Sequence, residues 1–123
     1  MKIKTSELTG RALDWAVCLA IGGAANKDNT EVQAPNRDYY LLSNGKGNFA
    51  PSTDWSQCGE LIDEYGIQLI WVSDATIEAS SHLMNKLVVS EFGSNHLESA
   101  CRLIVLGKLG DEVDIPDELV EGV

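Results

Sequence analysis

A chain of 123 residues, 44% hydrophobic and 23% charged, is sized for one domain with its own core and has the composition of an ordinary soluble globular protein. Its net charge of −10 argues against DNA or RNA as a partner, because nucleic-acid affinity rests on cationic contacts to phosphate. No apolar run is long enough to span a membrane and no apolar h-region follows Lys2 and Lys4, so neither an anchor nor a secretion signal is expected and the expected location is cytoplasmic.

The acidity is uneven. Asp111, Glu112, Asp114, Asp117, Glu118 and Glu121 lie in the last thirteen residues with no Lys or Arg among them, and the remainder carries 13 acidic against 9 basic residues. Cys18, Cys58 and Cys101 are widely spaced and form no CxxC or Cys/His cluster, so they read as buried free thiols rather than metal ligands.

Thr5-Ser6-Glu7 offers a capping residue and an acidic first turn. Leu8, Ala12, Trp15, Ala16 and Leu19 then recur at helical spacing, with Arg11 and Asp14 towards the other face. This predicts a helix over about 6–21, stopped at Gly22-Gly23. Residues 24–37 are polar and rich in turn formers, and read as an exposed loop. Arg37 to Leu42 is a short strand, ended by Ser43-Asn44-Gly45-Lys46-Gly47-Asn48 with its Asn-Gly turn signal.

Phe49-Ala50-Pro51-Ser52-Thr53-Asp54-Trp55-Ser56-Gln57-Cys58-Gly59-Glu60 is the densest chemistry in the chain. Pro51 breaks regular structure, Ser52, Thr53 and Asp54 are good N-cap residues, and Leu61, Ile62 and Tyr65 continue an apolar pattern to Gly66. A loop running into a short helix results. Such a junction directs free backbone N–H groups and polar side chains the same way, which suits a polar or anionic ligand. The alternative is that Asp54 only caps the helix and Trp55 fills the core.

Ile67 to Val72 is a mostly apolar strand, expected to be buried on both faces. Asp74 to Asn85, with Ile77, His82, Leu83 and Met84, fits a loop or a helical turn. Lys86 to Phe92 is a third strand, stopped by Gly93. Ser94 or Asn95 caps a last helix whose Leu97, Ala100, Cys101, Ile104 and Val105 form one face and which ends at Gly110; Arg102 and Lys108 suit its dipole. Val113 and Ile115 are placed to pack back before Pro116 and the acidic end. The pattern predicts an α+β fold: a small single domain over 1–123, with a three-stranded, mostly antiparallel sheet packed with the N- and C-terminal helices. Trp15, Leu19, Leu69, Val88, Leu97, Cys101 and Ile104 are the expected core.

Three segments carry a resemblance. They are Met1 to Val17 (MKIKTSELTGRALDWAV), Ala50 to Gln57 (APSTDWSQ) and Gly107 to Leu119 (GKLGDEVDIPDEL). Together they resemble the NinX-like proteins of temperate phages and prophages, a family without a settled activity. The resemblance implies a phage or prophage origin and action in the bacterial cytoplasm. Two places depart from the family pattern. Cys58-Gly59-Glu60-Leu61-Ile62 stands where the family shows two glycines, a proline and an isoleucine pair, and Gly93-Ser94-Asn95-His96 where it carries a Gly-Pro-Thr-Pro-like approach to the last helix. The Pro-Ser-Thr-Asp-Trp segment is also similar to short motifs of small phage proteins that sequester nucleotide-derived immune signals.

Catalytic signals are weak. His82 and His96 belong to no HExxH or GxSxG, and no Walker A or GxGxxG is present. His96 reads as a solvated residue of the last helix's first turn. Glu60, Asp63 and Glu64 share one helical side and read as a solvated face. An enzyme is thus the least supported class, with no catalytic residue, metal or cofactor expected. The leading expectation is a binding protein for a nucleotide-like ligand, using Ser52, Thr53, Asp54, Trp55, Gln57, Tyr39 and Tyr40, with bases stacked on aromatic rings. The alternative is an acidic module that binds and modulates a host protein. A homo-oligomer is expected, since sites built from short loops are commonly completed by a second subunit.

Overall fold

The computed structural model describes residues 1–27, 29, 31–35, 37, 39–41, 49–81 and 89–120. Its class is α+β: among those residues are three α-helices and three small antiparallel sheets. The elements are β1 (Lys2–Lys4), α1 (Gly10–Ala20), β2 (Ala24–Ala25), β3 (Glu31–Gln33), β4 (Tyr39–Leu41), α2 (Trp55–Glu64), β5 (Gln68–Ser73), β6 (Thr76–Ser81), β7 (Val89–Gly93), α3 (His96–Leu109) and β8 (Glu112–Asp114). The sheets are β1-β8, β2-β3-β4 and β5-β6-β7.

Helix α3 is the centre of the packing. Asn95 caps it by accepting from the Glu98 N–H at 2.8 Å, and the Glu98 carboxylate accepts in turn from the Ser94 N–H and hydroxyl. Leu97, Ala100, Cys101, Leu103, Ile104 and Val105 are buried. One side of α3 lies on β6 and β7, the other on α1. Gly93 allows this approach: a Cβ there would come within 2.6 Å of the Ser99 backbone nitrogen. Arg102 donates to the Leu8 carbonyl at 2.9 Å and to the Phe92 carbonyl at 3.0 Å, tying the chain before α1 and strand β7 to the same helix.

The first helix begins later than its capping signals indicate. Thr5 does not cap it. Its side chain is buried and donates to the Gly110 carbonyl at 2.6 Å, and its N–H donates to Asp111. Thr5–Glu7 forms a 3-10 turn, and α1 starts at Gly10. Residues Ala12 to Cys18 are all buried, so α1 is enclosed rather than amphipathic, and Asp14 faces the interior at 2% exposure instead of the solvent side.

Three further expectations change. The polar stretch 24–37 holds β2 and β3, paired Ala24↔Gln33, Ala25↔Val32 and Val32↔Tyr40. Only Val32 of β3 is buried, so a three-residue strand without an apolar run had no local signature. Asp74 to Asn85 contains β6, the middle strand of its sheet, and Ile77, Ala79 and Ser81 alternate inward. The small side chains of Ala79 and Ser81 hid the alternation. Among the described residues strand β5 is an edge strand with one partner, and Ile70, Trp71 and Val72 are exposed rather than buried on both faces.

Trp15, Leu97, Cys101 and Ile104 are core as expected, while Leu19 and Leu69 are partly buried and pack against it. Val88, His82, Leu83, Met84 and the Ser43–Asn48 turn lie outside the described residues. The acidic end is built into the fold: β8 pairs with β1, and Val113, Ile115 and Leu119 are buried. Cys18, Cys58 and Cys101 are buried free thiols.

Candidate functional site

Two neighbouring features arise where the 49–54 loop meets α2. The loop is locked from within. The Ser52 N–H donates to Asp14 Oδ1 at 2.9 Å, and Ser52 Oγ is buried beside the same carboxylate without a well-formed hydrogen bond. Burial pushes Asp14 up from 3.8 to about 6, against the lowering effect of the Ser52 groups. Gln57 reaches back from α2: its Oε1 accepts from the Ala50 N–H at 3.0 Å and its Nε2 donates to Asp54 at 3.2 Å.

Asp54 is the N-cap of α2. It accepts from the Ser56 N–H at 2.9 Å and the Ser56 hydroxyl at 2.6 Å, and these bonds hold its carboxyl below the usual range. Thr53 is exposed, and its hydroxyl bends back to the Ala50 carbonyl. Gly66, at φ 59°, ends the helix.

A cavity of about 340 Å³ opens beside this loop. Tyr40, Phe49, Pro35, Pro51, Ile21 and Leu61 form an apolar wall, and Gln57, Glu60 and Glu64 supply the polar atoms. The Tyr40 and Phe49 rings sit 5.9 Å apart at 56°. An aromatic corner facing two carboxylates and an amide suits a flat ring that carries N–H donors on one edge. The carboxylates disfavour an anionic group in the same space.

Of the expected site residues, Tyr40 and Gln57 line this cavity. Ser52 and Asp54 hold the loop and the helix end. Tyr39 lies in β4, with its side chain outside the described residues. Trp55 is elsewhere: it is 58% exposed and lies against His96, with ring centroids 5.8 Å apart. Trp71 meets the same imidazole edge-on at 5.6 Å, so His96 is half-buried between two indoles instead of simply solvated. Glu60 and Glu64 are exposed as expected, yet both border the cavity. Phe49, Ile21 and Leu61 had no distinguishing signal as site residues, because each looked like ordinary core and they are distant in sequence.

A family model described as Bacteriophage P22, NinX matches residues 4–108. The chain belongs to that NinX family. No curated protein matches it. The NinX match includes α1, α2, all of α3 but its last residue, and every residue lining this cavity, and it ends before β8. The segments 58–62 and 93–96 fall near the two features. Glu60 and Leu61 border the cavity, and His96 touches Trp55. Among the described residues, no helix is long and apolar enough to cross a membrane and no His/Cys/Asp/Glu cluster is arranged to hold a metal ion.

Proposed function

We propose that this NinX-family chain is a phage accessory binding protein that sequesters a small nucleotide-derived ligand in the bacterial cytoplasm, an anti-defence role. The observation that carries the reading is the cavity pairing Tyr40 and Phe49 with Glu60, Glu64 and Gln57. The base enters this corner and stacks on the aromatic side. Its amino and imino donors meet the carboxylates, and the phosphates stay at the mouth, away from them.

Thermal unfolding with a panel of nucleosides and cyclic or linear nucleotides tests this. A ligand of the folded state raises the melting temperature by mass action. One class of base should do so in the parent chain and fail in Tyr40→Ala. A panel without any shift overturns the reading, as does a shift that Tyr40→Ala retains in full.

The alternative, an acidic module that modulates a host protein, draws on the exposed carboxylates Asp111, Glu112, Asp114, Asp117 and Glu118 around β8. Salt-sensitive binding to a basic host protein, lost on neutralising these residues, would favour it.

A further inference from the structure

We propose that the free edge of β5 is the contact between two copies of this chain, joined about a two-fold axis into one continuous six-stranded sheet. Strand β5 has β6 on one side and no partner strand on the other among the described residues. Free edges are normally blunted by Lys, Pro, a bulge or a covering element. Gln68-Leu69-Ile70-Trp71-Val72-Ser73 contains no charge and no proline, and its register shift falls only beyond Trp71, so Gln68 to Trp71 pairs regularly.

The apolar surface wraps around this edge. Ile70 is 60% exposed, Trp71 55%, Val72 50% and the neighbouring Trp55 58%. Covering the exposed half of four such side chains removes on the order of 400 Å² per copy, about half of the ~800 Å² per partner of a standard interface. The strand backbones and flanking side chains add to that.

A second copy fits better than a foreign chain for two reasons. An antiparallel edge is self-complementary, so one strand can satisfy its own copy. An axis normal to the sheet also keeps like faces together, and opposed residues then share a face. With Ile70 on the axis, Ile70 meets Ile70 of the other copy, and Trp71 meets Leu69. Charge permits this pairing although each copy carries −10. The residue paired with Ile70 in β6 is a carboxylate, Glu78, which shares its face. The two Glu78 residues would lie three strand spacings apart, roughly 14 Å, which exceeds the Debye length of about 8 Å at physiological salt.

Light scattering on the full chain tests the proposal. The expected mass is twice 13.3 kDa at high micromolar concentration. Ile70→Lys and Ile70→Glu each place like charges at the axis, and each should be a folded monomer by circular dichroism. Mixing the two should restore the dimer at low salt, which a folding defect could not do. Phe92→Lys, also exposed but on the far strand of the sheet, should stay dimeric. Should the Ile70 variants misfold, hydrogen exchange of the parent chain decides: β5 amides gain protection as concentration rises. A parent chain that stays monomeric overturns the proposal, even if β5 binds a host protein. So does a dimer that survives both Ile70 charges, a dimer lost in Phe92→Lys, or β5 exchange independent of concentration.

Discussion

Asp14 and Ser52 join the first helix to the loop that carries the candidate site. The Asp14 carboxylate, 2% exposed, accepts the Ser52 N–H at 2.9 Å across 38 residues of sequence. That bond satisfies a loop amide, but it leaves a carboxylate in an apolar interior, where the charged form is disfavoured.

The first prediction follows from that cost. Asp14 has a folded pKa of about 6 against 3.8 ordinarily, so the folded chain binds this proton more tightly than the unfolded chain. The resulting stabilisation is complete below about pH 3.8 and is lost as pH rises through about 6. A shift of about two units corresponds to on the order of 3 kcal/mol. Asp14→Asn keeps an oxygen for the Ser52 N–H and cannot ionise. Urea unfolding should show Asp14→Asn gaining on the parent as pH rises from about 4 to 7.5. A constant difference between the two chains across that range would show that the Asp14 charge is satisfied in the fold.

That bond also marks where sequence reading stops. Helix α3, with Asn95 and Gly110 at its ends, and helix α2, with Asp54 and Gly66, were legible because cap and stop residues act within a few positions. Strands β3 and β8 were not, since three residues carry no period and their partners lie far along the chain. Asp14 misled for a related reason: helical spacing placed it opposite the apolar stripe, but α1 is enclosed on all sides. The cavity was legible only through Tyr40 and Gln57, because Ile21, Phe49 and Leu61 reach it from separate elements.

A second prediction separates capping from ligand binding at the 52–55 stretch. Asp54→Ala should lower the melting temperature, because the Ser56 N–H and hydroxyl lose their acceptor, while Asp54→Ser or Asp54→Asn should retain most of it. The lowered carboxyl pKa gives the opposite pH dependence to Asp14: its contribution is present above the ordinary Asp range and fades as pH falls below it. In dilute, monomeric chain, Trp55→Ala, at a side chain 58% exposed, should cost under about 1 kcal/mol. Trp15→Ala should cost roughly 3–5 kcal/mol, since Trp15 is buried and its indole N–H is bonded to Asn29. Equal losses at the two tryptophans in denaturant unfolding would contradict this.

The third prediction concerns the acidic end. Stopping the chain after Leu119 should change stability little, since Val120 is only partly buried. Stopping it after Gly110 removes β8 with Val113, Ile115 and Leu119, all buried. Each such side chain contributes about 1.5–3 kcal/mol on burial, so three together approach the whole stability of a small domain. The shorter form should be unfolded by circular dichroism at 25 °C. A cooperative transition there would mean that the core of α1, α2 and α3 stands alone.

The last prediction distinguishes the two aromatic features as ligand seats. Tyr40 borders the cavity and meets Phe49, whereas Trp55 lies on the surface against His96. If a base binds in the cavity, Tyr40→Ala should weaken binding about tenfold or more, given roughly 1–3 kcal/mol for one aromatic–base stack. Tyr40→Phe should keep most of the affinity, because the ring supplies the contact. Glu60→Gln and Glu64→Gln should weaken ligands with amino donors and spare those without, since an amide presents one acceptor where the carboxylate presents two. Trp55→Ala should leave binding unchanged. Calorimetric titration of the five variants with one ligand resolves the alternatives. Loss of affinity in Trp55→Ala alone would move the seat to the surface cluster, and uniform affinity across all five would remove both seats.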